Sequence, residues 1–202
     1  MAKKLFLGLL LLLAVGCRVA VNHQPVQFAA HSLKVKLDPA SDRFSASDTI
    51  TLTYHKNVNS FYFFLDDSIE IERIGVGFQD FEFDEILDFN PKEFGKSCDI
   101  PSNQKLIQVN IPKSLFPQHV DIWYTGCLDS LRQCDPVPSL WHPAQPDVLT
   151  RFDVMALLPL EYQLDCSADL KQITTNEDWR LYVWQQTEPS RHLALNVTDM
   201  YK

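Results

Sequence analysis

An all-β fold is predicted for this chain: a mainly antiparallel, saddle-like β-sandwich forming a single domain. Three observations carry the prediction. Apolar and polar residues alternate with a period of two along much of the sequence, which marks strands with one buried face. Segments rich in Asp, Asn, Ser and Pro separate these stretches at short intervals, as turns do in sandwiches. No segment sustains helical periodicity over three turns.

The first element is a leader. Lys3 and Lys4 form a charged start, residues 5–15 an apolar run, and Ala14-Val15-Gly16-Cys17 a small-residue cleavage site ending in cysteine. That run is too short to cross a bilayer, which takes about 20 apolar residues. A cysteine directly after Gly16 reads as a lipoprotein signal spanning residues 1–16, cleaved before a lipidated Cys17. The alternative is an ordinary signal peptide, or an amino-terminal membrane anchor, with an incidental cysteine. Ala14 stands where such signals most often have leucine. The residue after the cysteine is Arg18 rather than aspartate, which favours the outer over the inner membrane of a bacterial envelope. A diacylated or triacylated Cys17 holds durably, since each buried methylene contributes about 0.8 kcal/mol. Residues 17–29 then form the lipidated cysteine and tether, and residues 30–202 the β-domain.

The strands follow in order. Leu33, Val35 and Leu37 alternate with Ser32, Lys34 and Lys36, and Ile50, Leu52 and Tyr54 alternate with Thr49, Thr51 and Thr53. Further strands are predicted over 61–65, 69–76, 106–111, 120–124, 149–157, 179–184 and 193–197. After the leader only Gly75, Gly77, Gly95 and Gly126 remain, so prolines and Asp or Asn must set most corners. One segment differs: FQDFEFDEILDF (78–89) interleaves Asp80, Glu82, Asp84, Glu85 and Asp88 with phenylalanines. Clustered carboxylates can hold calcium, but the glycine turn and ligand spacing of a calcium loop are missing. An acidic edge hairpin is the expectation, because charge on an edge discourages pairing with another sheet.

Charge and cysteines bound the function. The chain carries a net charge of −8; removing residues 1–16 takes away Lys3, Lys4 and no acid, leaving −10. Nucleic acid is excluded as a partner, because binding it requires basic patches that neutralise phosphates. With Cys17 lipidated, Cys98, Cys127, Cys134 and Cys166 remain, an even number suited to an oxidising compartment. Cys127 and Cys134 bracket a short loop and are the favoured pair, with Cys98 and Cys166 following by elimination. Free buried thiols are the alternative. No C-x-x-C spacing occurs, which argues against zinc at these four, and no cofactor is expected.

The stretch WHPAQPDVLTRFDVMALLP (141–159) places a proline-flanked aromatic knot ahead of an alternating strand that stops at Leu158-Pro159. The prolines stiffen a crossover and the tryptophan fills a core. The order of features around it resembles a known family. HSLKVKLDPASDRFSASDTITL is followed by the strand ending at Ile111, then LWHP, then RFDVMALLPLEYQLDCSADL, then WRLYVWQQTEPSRHLALNVTDMYK. Over residues 30–202 this is similar to the amino-terminal domain of the zinc aminopeptidases related to aminopeptidase N and leukotriene A hydrolase.

The resemblance implies a saddle-shaped β-domain that covers one side of a separate catalytic domain. In that family a thermolysin-like domain supplies H-E-x-x-H and a later glutamate for zinc, and a Gly-x-Met-Glu-Asn-type strand for the substrate's amino group; neither string occurs here. The histidines, His23, His31, His55, His119, His142 and His192, are scattered, and no two sit four apart as zinc hydrolysis requires. Residues 140–146 do not match the family's substrate-facing Thr-Gln-x-Glu element, so no binding residue carries over. The resemblance therefore implies a noncatalytic domain, not an enzyme: a protein or peptide interaction module, or a truncated relative. The alternatives are an accessory subunit that partners a separately encoded catalytic peptidase chain, or an unrelated adhesin or carbohydrate-binding sandwich.

Other chemistries are weak. Ser139 lacks the G-x-S-x-G context of a nucleophile elbow. Asp135, Asp147 and Asp153 lie near prolines and strand ends, where aspartates cap and turn. Asn196-Val197-Thr198 has the glycosylation pattern by chance. Candidate interaction residues are Trp141, His142 and Trp184: the tryptophans as stacking surfaces, the histidine as a ligand or pH switch, or as a bonded member of a packed corner.

Overall fold

The structure, a computed structural model, describes residues 26–54, 58–89, 103–112, 115, 117–131, 140–145 and 147–199. Of the segments read from sequence, the leader, Cys17, Cys98, Cys134, Asp135 and Ser139 lie outside the described residues. The strands are β1 (Val26–Asp38), β2 (Arg43–Tyr54), β3 (Ser60–Asp66), β4 (Glu70–Val76), β5 (Gln79–Asp80), β6 (Glu82–Ile86), β7 (Gln104–Asn110), β8 (His119–Cys127), β9 (Arg151–Pro159), β10 (Tyr162–Cys166), β11 (Asp169–Thr175), β12 (Trp179–Gln185) and β13 (Leu195–Asp199). Among the described residues helix is confined to a 3-10 turn at Leu128–Leu131.

An eight-stranded sheet runs in the order β11-β12-β9-β1-β2-β8-β4-β5, against a three-stranded sheet β3-β7-β6 and a pair β10-β13. Every pairing is antiparallel except β1 with β9, so the predicted mainly antiparallel sandwich is present. β1 starts at Val26, inside the stretch expected as tether, with Val26 set against Tyr54 of β2.

The period of two governs burial. Leu33, Val35 and Leu37 of β1, Phe44, Ala46, Ile50 and Leu52 of β2, and Phe152, Val154, Ala156 and Leu158 of β9 all enter the core, while alternate residues face out. A register shift between Phe28 and Ala30 breaks the phase, so Phe28 and His31, three positions apart, share the buried face. A second shift between Ile71 and Arg73 does the same for Ile71 and Ile74. Gly126 makes a close approach possible: a Cβ there would stand 2.4 Å from Ile69 Cδ1 and 2.8 Å from Phe44 Cε1.

β3 reads FYFF, a continuous apolar run rather than an alternation, because its sheet is covered on both faces. Phe61, Phe63 and Leu65 join the main core, and Phe64 packs with Leu106, Leu140 and Ala144 on the other side. The acidic segment is indeed edge structure, but it is split between sheets. β5 is the last strand of the large sheet and β6 an outer strand of the small one, with Phe81 buried at the transfer between them. Two of its acids are bound locally: Asp80 pairs with Arg73, and Glu85 lies 2.9 Å from Lys105 Nζ. Asp residues set corners as expected, with Asp42 after β1 at φ 54° and Asp147 at φ 60°.

β10 and β11 went unpredicted. In β11 all seven residues are exposed, so neither face imposes an alternation on the sequence.

Candidate functional site

The 140–145 segment is the crossover that the prolines of the aromatic knot suggested, and its backbone runs along β3. Ala144 N–H donates to Phe64 O (3.0 Å), Phe64 N–H to Ala144 O (2.8 Å) and Asp66 N–H to Leu140 O (2.9 Å). Gln145 reaches further: its Oε1 accepts from Phe28 N–H at 3.0 Å, and its Nε2 donates to Val26 O at 3.1 Å and Tyr62 O at 3.0 Å. One amide side chain thus ties β1 to β3 across the two sheets. Trp141 Nε1–H donates to Leu193 O at 2.9 Å, fastening the same crossover to the loop before β13.

Beneath the crossover lies a polar diagonal inside the core. Register places Tyr124 of β8 against Ala46, Asp48 of β2 against Leu33, and His31 of β1 against Phe152 of β9. Tyr124, Asp48, His31 and Phe152 therefore step across four strands on one buried face. His31 Nδ1 lies 2.6 Å from Asp48 Oδ2, a short hydrogen bond, and the His31 ring stacks on Phe152 at 4.9 Å. His142 roofs this row, edge-on to His31 at 5.7 Å, to Phe152 at 5.0 Å and to Trp141 at 5.3 Å.

Burial sets the electrostatics. The Tyr124 hydroxyl is pushed well above its ordinary range, chiefly by burial and then by the Asp48 charge. His142 is lowered to about 3, by burial first and by the charge of His31 second, although its Nδ1 bonds to Pro143 O at 3.1 Å. Because the folded value lies below the unfolded one, the unfolded chain takes up the proton first. The contribution of neutral His142 to stability is complete above about pH 6.5 and is lost as pH falls toward 3. A His142→Leu variant is expected to flatten the acid limb of stability. Urea midpoints of both proteins at pH 7, 5 and 4 check this, and parallel limbs would contradict it.

Tyr, Asp and His in a row have the makings of acid–base chemistry, but the row is sealed, with His31 2 % exposed, Asp48 0 % and His142 1 %. The geometry is that of a structural network, with Tyr124 OH, Asp48 Oδ1, His31 Nε2 and His142 Nε2 lacking a partner among the described residues. The period of two contained the signal for this site. Asp48 stands in the phase of Ala46 and Ile50, where an apolar residue is the rule.

The proposed interaction residues are corrected by burial. Trp141 is 1 % exposed and Trp184 3 %, so neither is an exposed stacking platform, and Trp184 only borders the groove at β11. Trp184 instead stacks on Tyr182 at 5.0 Å with an interplanar angle of 2°. Asp147 pairs with Arg191 at 3.4 Å, and Asp153 faces outward from β9. Among the described residues Cys127 and Cys166 are free thiols, not joined to one another; the crosslinks expected from the cysteine count run to Cys134 and Cys98, outside those residues. Burial pushes the Cys166 thiol up to about 11.

The surface shows what sequence reasoning missed. The core side of the large sheet continues onto β11, where Leu170 and Ile173 are 51 % and 49 % exposed. A register shift between Leu170 and Gln172 turns both to the side of Trp184 and Tyr182, their cross-strand partners. With Leu164 and Cys166 of β10 they line a groove of about 380 Å³.

No protein-family model and no curated protein sequence matches the chain. Solved structures do. The M1 zinc metallopeptidase from Deinococcus radiodurans is 13 % identical over 87 % of this chain, with a TM-score of 0.58. A two-domain M1 zinc metallopeptidase bound to L-tryptophan is 14 % identical over 87 %, with a TM-score of 0.59. Native yeast LTA4 hydrolase is 12 % identical over 82 %, with a TM-score of 0.55. The chain spans 42 %, 43 % and 27 % of those three, the extent of an amino-terminal domain. The fold that the sequence resemblance implied is therefore present; at these identities the likeness is one of fold.

Proposed function

We propose that this chain is a noncatalytic interaction domain, held at a bacterial cell envelope by a lipidated Cys17, that docks a protein or peptide partner on the open end of its large sheet. The observation that supports it most is the apolar patch at β11. Leu170 and Ile173 extend the core-facing side beyond the covered core, and together with Leu164, Tyr182 and Trp184 they line one groove whose covering removes apolar surface from water. A second reading, an accessory subunit whose occupant is a separately encoded zinc peptidase chain, draws support from the shared fold with M1 zinc metallopeptidases. Disulfides from Cys127 to Cys134 and from Cys98 to Cys166 and an outer-membrane location belong to the same proposal.

The purified chain is expected to release no aminoacyl anilide and to bind no stoichiometric zinc, read by colour release and by metal analysis of the same sample. Chelator-sensitive hydrolysis by the chain alone would overturn the noncatalytic reading.

A further inference from the structure

The opposite, outer face of the large sheet carries a second pattern, and register makes it legible. Across the strands Trp123 sits against Ser47, Ser47 against Lys34, Lys34 against Met155 and Met155 against Val183. Two residues along, Thr125 sits against Ser45, Ser45 against Lys36, Lys36 against Leu157 and Leu157 against Leu181. Two parallel rows therefore repeat one order: a polar or aromatic residue, a serine, a lysine, then two apolar side chains. The rows form a trough of about 450 Å³, and a neighbouring depression of about 310 Å³ shares Lys34 and Met155 with it.

A net charge of −8 makes two adjacent lysines at the centre of a face notable. Among the described residues neither Lys34 nor Lys36 forms an ion pair; Lys36 Nζ lies 5.4 Å from the Trp179 ring. Met155, at 40 % exposed, stands beside Lys34 on the next strand. Strands lie about 4.8 Å apart, so a ligand crossing them meets a cation and then apolar side chains within about 5–10 Å. Alternate residues of an extended peptide are spaced about 7 Å apart.

We infer that this trough binds an extended polypeptide segment of the pattern acid-x-apolar laid along one row, its carboxylate over Lys34 and its apolar side chains over Met155 and Val183, or its carboxylate over Lys36 and its apolar side chains over Leu157 and Leu181. Charge complementarity selects the occupant, because the lysines are the only charges within the two rows themselves, the other row residues being apolar, aromatic or hydroxylic, while Glu72 and Asp153 line the hollows outside the rows. A bilayer surface fits less well: Glu72 and Asp153 line the two hollows, where a broad anionic headgroup layer would meet like charge that a single segment lying along one row avoids. The inference uses the face opposite to the β11 patch and stands independently of the function proposed above.

The test is titration of the full chain with the fluorescein-labelled peptide DEILDF, which carries the pattern twice, and with its charge-stripped counterpart NQILNF. Saturable binding to DEILDF is expected, at least tenfold weaker for NQILNF and at least tenfold weaker for a Lys34→Glu/Lys36→Glu chain. Both lysines are exposed, so the double variant is expected to keep the thermal midpoint of the parent; Met155→Glu supplies an independent variant with the same expected loss. No saturable binding, equal binding of the two peptides, or indifference to both variants overturns the inference. Capture of phosphatidylglycerol vesicles through the lysines without binding of the peptide overturns it in favour of a lipid surface.

Discussion

Replacing Trp141 with alanine is expected to destabilise the domain by about 3–5 kcal/mol, the range for deleting a fully buried aromatic side chain. Trp141 is among the largest fully buried side chains, and Phe44 meets it edge-on at 6.1 Å. The cavity left behind would lie between the crossover and the large sheet, where the backbone is held by the Phe64–Ala144 bridge and the Gln145 amide and has little freedom to collapse. Loss of the indole donor also leaves Leu193 O without that bond. Urea unfolding followed by far-ultraviolet circular dichroism measures the change; a loss under about 1 kcal/mol would show that the crossover relaxes into the space.

An effect of similar size is expected from Asp48→Ala. The carboxylate is fully buried and holds His31 at 2.6 Å, and removing one partner of a buried pair leaves the other uncompensated, at a cost of about 3–5 kcal/mol. Two sheet strands are involved, since Asp48 belongs to β2 and His31 to β1, at the middle of the large sheet. A double replacement, His31→Leu with Asp48→Leu, is expected to recover most of that loss, because apolar groups of similar volume leave no buried polar group without its partner. Equal destabilisation by the single and double variants would mean that packing, rather than charge, dominates at this site. The double-mutant cycle separates the two terms.

The Asp48 example also shows how far a sequence reaches. Its position in the alternation of β2 places it inside, and the phase of Leu33, Val35 and Leu37 places His31 inside as well; only the bulge at Phe28 and Ala30, which lets Phe28 share that face, is invisible in the alternation. The partner of a buried charge is chosen by register between strands, and register is a property of the pairing rather than of either strand. Trp141, His142 and Trp184 illustrate the converse. A tryptophan near prolines or at a strand end reads equally well as a surface platform or as a core filler, and only the strands and crossover above it decide between them.

Element by element, the sequence by itself determined the β class, most of the strands, the acidic edge segment and the kind of residue at the corners. Each of these rests on local physics: the two-residue period of a half-buried strand, the repulsion of charged edges, and the backbone freedom of Asp at a left-handed corner. Tertiary structure alone decided the rest. It split the acidic segment between two sheets, laid the Trp141–Gln145 crossover along β3, and sealed Tyr124, Asp48, His31 and His142 in the core. It also aligned Lys34 and Lys36 with Met155 and Leu157, and left β11 bare on both faces. The physical reason is common to all of these. Burial and cross-strand neighbours depend on residues far apart in the chain, with β1 set beside β9 more than a hundred positions later, and no local pattern encodes which distant strand will lie alongside.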